Sequence, residues 1–434
     1  MSEAAAFPRL RPEVTVSPFS SSAREKTYLL MHPDGRCLEV SRKLHELIQL
    51  LDGKHSLEQI AESLSRHWQT EVNACEVRNW IKETLTPHDL LELEESPATT
   101  SYHIRGRAAS KRGVLLIRAR WLHPVSGIFR VAFHPAFALP ALACVILCHA
   151  LFYTELNARA LASRLGPSTW LAVYLVLLFS VLFHELGHLA ACRHFDCPHG
   201  EIRFGLYLIF PVLYANVTPA WKLSRRQRMV VDLGGVYFQS ILMLPAFLLL
   251  HLTGDNLWRV LFLELEGMLA FALNPFLRFD GYWLCSDLLG IPNLHARGLL
   301  LVKRLGRRLT RRSAADCRVL EVRGLEMAGL LLFVLGRWLF LAAIPILMIQ
   351  YTWQHLGALP GLLAGRASDL LEHALHGDVI GLIHSLGRFL FLILLLLGVT
   401  RLLGAARRII SKRVGSAGRR CKRSRPAADL TPPD

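Results

Sequence analysis

Along this chain the spacing of apolar positions changes from one region to the next. From Tyr28 to about Leu93 it is that of a small soluble domain. The stretch "TYLLMHPDGRCLEV" predicts two short strands around Pro33-Asp34-Gly35. Leu44, Leu47, Ile48 and Leu51 then share one helical face, with Ser41 as N-cap and Gly53 as stop. "SLEQIAESLSRHW" repeats that spacing, with Ser56 as N-cap and Gln59 completing a capping box. A third helix is predicted from about Glu76 to Leu85. A hairpin with three short helices makes a winged-helix-like α+β domain, placed at residues 24–95. Residues 1–23, rich in Pro, Ser and Ala, are expected to be disordered.

Beyond residue 134 the alternation gives way to six unbroken apolar runs: 135–153, 168–192, 229–252, 257–276, 326–350 and 379–403. Each approaches or exceeds the roughly 20 residues that cross hydrocarbon. The fold class is therefore mainly α: a polytopic membrane protein with about six transmembrane helices, preceded by the soluble domain. Between the second and third runs, "EIRFGLYLIFPVLYANVTPAW" is too short and too broken by Gly205 and Pro211 to cross. It predicts a small membrane-embedded β-hairpin, which needs protein or a water-filled cavity around it.

Composition agrees with this class: 52% of the 434 residues are hydrophobic and the mean hydropathy is +0.32. The net charge of +16 raises the question of nucleic acid, but the cations lie between apolar runs and in the C-terminal tail. Segments 105–123, 193–228, 278–325 and 401–434 hold 6, 6, 10 and 10 Lys plus Arg. The alternate connections hold only Arg159, Arg164 and Arg366. That asymmetry predicts both termini in the cytoplasm of a cell membrane, with anionic lipid as the partner of the basic loops. The first apolar span begins near Pro135, so no signal peptide is expected. Nine cysteines without C-x-x-C pairs read as reduced packing residues.

One polar cluster interrupts the second run: "FHELGHLAAC", residues 183–192. Residues four apart share a helical face, so His184 and His188 can present two imidazoles to one ion. Glu185 is rotated by about a quarter-turn, beside the ion's open position. Two His ligands with a Glu to take a proton from water is the zinc-hydrolase arrangement. The competing reading is an interfacial helix end with snorkelling polar side chains. A third ligand is available where the fourth run ends in "NPFLRFDGYW". Pro275 weakens the helix and Gly281 permits a turn, so Asp280 can aim inward. Runs two and four cross in the same direction, which brings His188 and Asp280 to the same side.

His184-Glu185-Leu186-Gly187-His188 with the later Asn274-Pro275 and Asp280-Gly281 resembles the site-2 protease family of intramembrane zinc metalloproteases, over roughly residues 130–285. The resemblance implies zinc held by His184, His188 and Asp280, with Glu185 as general base. The context "ANVTPAWKLSRRQRMVVDLGGVYFQ" is similar to the bacterial peptide zinc metalloprotease branch. A family element with a glycine and a later amide has its nearest match in Gly235 and Gln239, which departs from the family pattern. With Asn274, Gln239 is therefore an expected substrate-binding position. "YLLMHPDGRCLEVSRKLHELIQLLDGKHSLEQIAESL" resembles PqqD-like domains, which bind leader segments of ribosomally made precursors. A generic winged helix is the other reading of that domain, but residues 28–93 lack a dense Lys/Arg stripe for DNA.

The organisation expected from sequence continues with a basic linker at 96–134 and a metallopeptidase core at 135–290. A basic cytoplasmic loop at 291–325, C-terminal helices at 326–404 and a disordered tail at 405–434 complete it. Glu264, Glu266, Arg337, His384 and Arg388 lie at membrane depth and are costly unless paired or wetted. The expected activity is zinc-dependent endopeptidase action on a membrane-associated or leader-bearing precursor peptide. The alternative is a non-proteolytic component that carries or exports a modified peptide.

Overall fold

In the computed structural model the capping residues and strand pattern of the N-terminal domain govern its local structure. The first sheet has the order β1–β2–β3–β4, with β1 at Thr15–Phe19, β2 at Thr27–Met31, β3 at Arg36–Ser41 and β4 at Ile104–Arg105. β2 and β3 form the expected antiparallel hairpin; its turn, residues 33–35, lies outside the described residues. Described throughout are residues 7–19, 27–32, 36–85, 90–91, 104–105, 113–155, 166–207, 210–309 and 324–355, with most of 357–400. The chain divides into two compact units, residues 1–164 with 173–335 and residues 165–172 with 336–434.

Ser41 Oγ accepts the Leu44 N–H at 3.3 Å and starts α1 (Arg42–Gln49). Ser56 and Gln59 exchange both bonds of a capping box at the head of α2 (Leu57–Trp68). The third helix, α3 (Ala74–Trp80), begins two residues earlier than expected because Asn73 and Glu76 form a second capping box. It runs on into a π-turn at Ile81–Leu85. Leu47, Ile48, Ile60, Leu64 and Val77 pack against Leu30 and Val40 of the sheet. Successive strand residues face opposite sides, so Leu29 and Met31 of β2 turn the other way, toward Phe19 and Trp221.

Two expectations of disorder or simple linkage are corrected. Within residues 1–23, Thr15–Phe19 form an edge strand, anchored by buried Val14 and Phe19. Pro18 is tolerated there because an edge need not donate every N–H. Within the expected linker 96–134, Val114–Ile117 form β5, and Ala119–Phe129 form helix α4. β5 pairs with β6 (Ile202–Tyr207), which pairs with β7 (Phe210–Ala215). The predicted hairpin is thus part of a three-stranded sheet.

Among the described residues, four helical stretches are long and apolar enough to cross a membrane: Pro135–Thr154, Thr169–His194, Arg225–Thr253 and Leu325–Ile344. The first two correspond to α5 (Pro135–Glu155) and α6 (Pro167–His194). The third is broken at Leu242 into α7 (Arg225–Ile241) and α8 (Met243–Thr253). Pro245 causes the break, since it has no N–H to offer the Ile241 carbonyl one turn back. The fourth expected run forms α9 (Asn256–Ala272), which at 17 residues is shorter than predicted and carries Arg259, Glu264 and Glu266. Glu266 Oε2 lies 2.7 Å from His149 Nε2 of α5, so these two ionisable side chains are paired with each other.

Helix α10 (Asp280–Leu289) follows, and then α11 (Leu294–Leu309) occupies part of the expected basic loop 291–325. Its Leu294 and Leu301 pack with Tyr282, Leu330 and Phe333, so this described part of the loop is structured by an apolar face that the loop's many cations obscure. Helix α12 (Leu325–His355) spans the fifth run, and α13 (Leu359–Leu375) lies in the connection expected after it. The sixth expected run, 379–403, falls partly outside the described residues, as do His384, Arg388 and the tail 405–434.

Candidate metal centre

Helices α6 and α7 meet where neither has a side chain. A Cβ at Gly187 would overlap the Gly234 carbonyl oxygen, and one at Gly234 would stand 2.7 Å from the Gly187 carbonyl oxygen. Small residues allow such backbone contact between membrane helices. The crossing points His184 and His188 of α6 at the face of α7 formed by Val231, Gly235 and Gln239, which recur every four residues. His188 Nδ1 donates to the Val231 carbonyl at 2.7 Å. His184 Nδ1 lies 3.1 Å from Gln239 Oε1. The two Nε2 atoms are left facing each other, 3.3 Å apart.

Asp280 reaches them from the far end of α9. Its Oδ2 lies 2.8 Å from His184 Nε2 and 3.3 Å from His188 Nε2. These three residues form a cluster whose ligand atoms all lie within 4.8 Å of one another. Tetrahedral zinc ligands at about 2.0–2.1 Å from the ion stand roughly 3.3 Å apart. Two edges of the triangle therefore already have zinc-ligand spacing, and the third opens by about half an ångström when its hydrogen bond yields to a metal. Gly235 faces the same point: a Cβ there would overlap His184 Nε2 and stand 2.6 Å from His188 Nε2. The donor set, the spacing and the glycine-lined space fit a zinc ion.

Asp280 arrives by a route that differs from the expected one. Helix α9 ends at Ala272, and Asn274 Oδ1 accepts the Phe276 N–H at 2.8 Å, turning the chain. Asp280 is then the first residue of a new helix, α10. Gly281 serves close packing: a Cβ there would overlap the Leu273 carbonyl and lie 2.8 Å from Leu273 Cα. The turn also rests on the second sheet, where Tyr207 Oη accepts the Arg278 N–H at 3.0 Å.

Glu185 is buried beside the triad, and its Oε2 accepts the Ala215 N–H at 2.6 Å. Ala215 ends β7, so the hairpin expected from sequence abuts the candidate base directly. The structure thus brings together His184, Glu185, His188 and Asp280. Gln239 is buried with its amide engaged by His184 and Ser180, and Asn274 sits in the turn before Asp280. Sequence reasoning missed Ser180, the Val231 carbonyl and the Ala215 N–H. A backbone group leaves no mark in a sequence, but Gly234-Gly235 inside an apolar helix was a legible sign of close helix contact.

No family model matches the chain, and no solved structure matches it. Over 119 residues, 27% of the chain, it is 25% identical to the Bacillus subtilis protein named "Putative peptide zinc metalloprotease protein YydH". The match spans 47% of that relative, so the chain covers about half of its length. Nothing in these comparisons supports the PqqD-like resemblance of residues 24–95. The chain is similar, at a distance, to a protein of zinc metalloprotease type.

Proposed function

We propose that this chain is an intramembrane zinc endopeptidase acting on a membrane-associated or ribosomally made precursor peptide. The observation that carries the reading is the convergence of His184, His188 and Asp280 around a glycine-lined space with Glu185 beside it. His184, His188 and Asp280 would hold a zinc ion, which as a Lewis acid would polarise the scissile carbonyl and make water more acidic. Glu185 takes the proton from that water and passes it to the leaving amine. Its Oε2 is held by the Ala215 N–H, which leaves Oε1 for the proton. The adjoining edge of β7 offers backbone groups to an extended substrate strand.

Within this reading the chain crosses the membrane six times with both termini in the cytoplasm. Helices α8 and α9 form an antiparallel pair around Gly254-Asp255, and the return along α9 brings Asp280 back to the level of His184. The site then lies within reach of cytosolic water. Residues 24–95 recruit the precursor through a sheet edge: among the described residues β4 pairs only with Arg36 and Cys37, leaving the rest of that side of β3 for an added strand.

The test is made on full-length protein in detergent with a candidate precursor peptide. Wild-type protein binds one zinc and cleaves; Glu185→Gln keeps the zinc and loses about 10²–10⁴ of the rate. Cleavage by Glu185→Gln at the wild-type rate would refute the assignment of the base. Zinc binding without cleavage of any precursor would favour the carrier alternative.

A further inference from the structure

We infer that Gln239 is the positioning residue that sets the metal-binding tautomer of His184, and that Ser180 sets the orientation of Gln239. The inference rests on the metallopeptidase reading above and adds to it a control on one ligand. An imidazole can bind a metal through Nε2 only if its other proton is on Nδ1. For His188 this is guaranteed, because Nδ1 faces the Val231 carbonyl, which can only accept. For His184 it is not. Nδ1 faces a side-chain amide, which can present either a carbonyl oxygen or an NH₂.

If the NH₂ end faced His184, Nδ1 would have to accept and Nε2 would carry the proton. The ring would then hydrogen-bond to Asp280 and be unable to ligate. The choice is made on the other side of the amide. Gln239 Nε2 lies 3.2 Å from Ser180 Oγ, one helical turn before His184 on the same helix. Ser180 has a single hydroxyl proton, and it donates that proton to the Leu177 carbonyl at 2.7 Å. Its oxygen is therefore left to accept, which calls for the NH₂ end of Gln239. Met268 Sδ, 3.8 Å from Gln239 Nε2, is likewise an acceptor. Both neighbours of the amide nitrogen select the same orientation, and Oε1 is turned to receive the His184 Nδ1 proton. Gln239 and Ser180 are both buried, so water does not compete for these groups.

The partners that orient a metal-bound histidine typically contribute 10- to 100-fold in metal affinity. Gln239→Leu, which removes the acceptor, is expected to weaken zinc binding by about that factor. Gln239→Glu, which keeps an acceptor for Nδ1, is expected to restore it to within about threefold of wild type. Ser180→Ala removes the group that orients the amide and is expected to weaken zinc by about fivefold. The measurement is chelator competition for zinc on full-length protein, together with the visible absorption of the cobalt(II)-loaded form. The cobalt bands of Gln239→Leu should shift, while those of Gln239→Glu should match wild type.

Unchanged affinity in Gln239→Leu overturns the inference, and so does equal weakening in the Leu and Glu variants, which would mark a packing role. Should Gln239→Leu fail to fold, Ser180→Ala carries the test, and unchanged affinity there overturns it. A wild-type protein that binds no zinc overturns the metal centre itself, an outcome distinct from any ratio among variants.

Discussion

Helices α7 and α10 hold two buried polar clusters within two turns of each other, and the clusters are built on opposite plans. The first joins Arg228 to Asp287. The guanidinium nitrogens Nη2 and Nε lie 2.8 and 2.9 Å from Asp287 Oδ1, and Nη1 donates to the Leu223 carbonyl at 3.0 Å. Phe19 and Trp221 close over the guanidinium, with ring centroids at 4.9 and 5.6 Å. Charge meets opposite charge, several of the donors are satisfied, and aromatic faces exclude water. The second cluster brings two imidazoles and two carboxylates together, with Gly235 against the imidazoles. The potential ligand atoms of His184, His188 and Asp280 converge to within 4.8 Å of one another. The first arrangement is complete as a structural joint, and the second has a donor set that could hold a metal ion.

Removing an aspartate from each cluster should therefore have different consequences. Asp280→Ala is expected to abolish stoichiometric zinc, as are His184→Ala and His188→Ala, while the fold persists. Asp287→Ala strands a buried guanidinium and is expected to cost about 3–5 kcal/mol of stability. In the fraction that folds, zinc affinity should stay near wild type. Replacing both partners with apolar residues, Arg228→Met with Asp287→Leu, should recover most of that loss. Zinc content by elemental analysis and thermal unfolding, read on the same samples, separate the two effects. Loss of zinc from Asp287→Ala in proportion to the loss from Asp280→Ala would erase the distinction between joint and site.

The same contrast explains how much could be read from the sequence. The clustering of His184, His188 and Asp280 was legible because a candidate metal site needs particular side chains at fixed spacing, and the turn signals before Asp280 were visible in Asn274-Pro275. The capping box at Ser56 and the amphipathic faces of α1 and α2 were legible for the same reason: local chemistry repeated at a known period. What escaped depends on distant partners. Val114–Ile117 reads as a basic linker until β6 is beside it. Residues 15–19 read as disordered until β2 and Trp221 cover them. Gln239 was placed with the substrate-binding positions, and only its neighbours Ser180 and His184 reveal what its amide contacts.

A weaker effect is expected at the aromatic lid of the joint. Phe19 is buried against Trp221, with ring centroids 5.8 Å apart, and it lies over Arg228. It anchors the N-terminal sheet to the part of the molecule that carries the site. The second attachment, Arg297 to Glu39 at 3.3 Å, is a partly exposed ion pair of little weight. Phe19→Ala should therefore remove about 2 kcal/mol or more of docking energy, as truncating a buried aromatic anchor does. Limited proteolysis should then release the N-terminal domain faster, while zinc content is unchanged. Equal proteolysis of Phe19→Ala and Glu39→Ala would mean that the aromatic lid is not the main anchor.

The smallest effect belongs to a polar group far from both clusters, and it tests whether exposed charge in the N-terminal domain is structural at all. Asp52 lies between α1 and α2, where its Oδ1 accepts the Lys54 and His55 N–H groups at 2.8 and 3.2 Å. His55 Nδ1 lies 3.0 Å away. The backbone N–H of Lys54, followed by the His55 ring, holds the carboxyl pKa down to about 2 from an ordinary 3.8. A depressed pKa means that the charged form is favoured by the fold. The stabilisation is then fully present above about pH 4 and fades as pH falls toward 2. Because Asp52 lies at the surface, the effect is confined to the loop between the two helices. Hydrogen exchange at Lys54 and His55, measured from pH 5 to pH 2, should accelerate in the wild type relative to Asp52→Asn as Asp52 protonates. Asp52→Asn keeps an acceptor oxygen but no charge, so its own protection should show no such step. Parallel curves for the two proteins would mean that the charge adds nothing to the turn and that its geometry alone holds α1 and α2 in place.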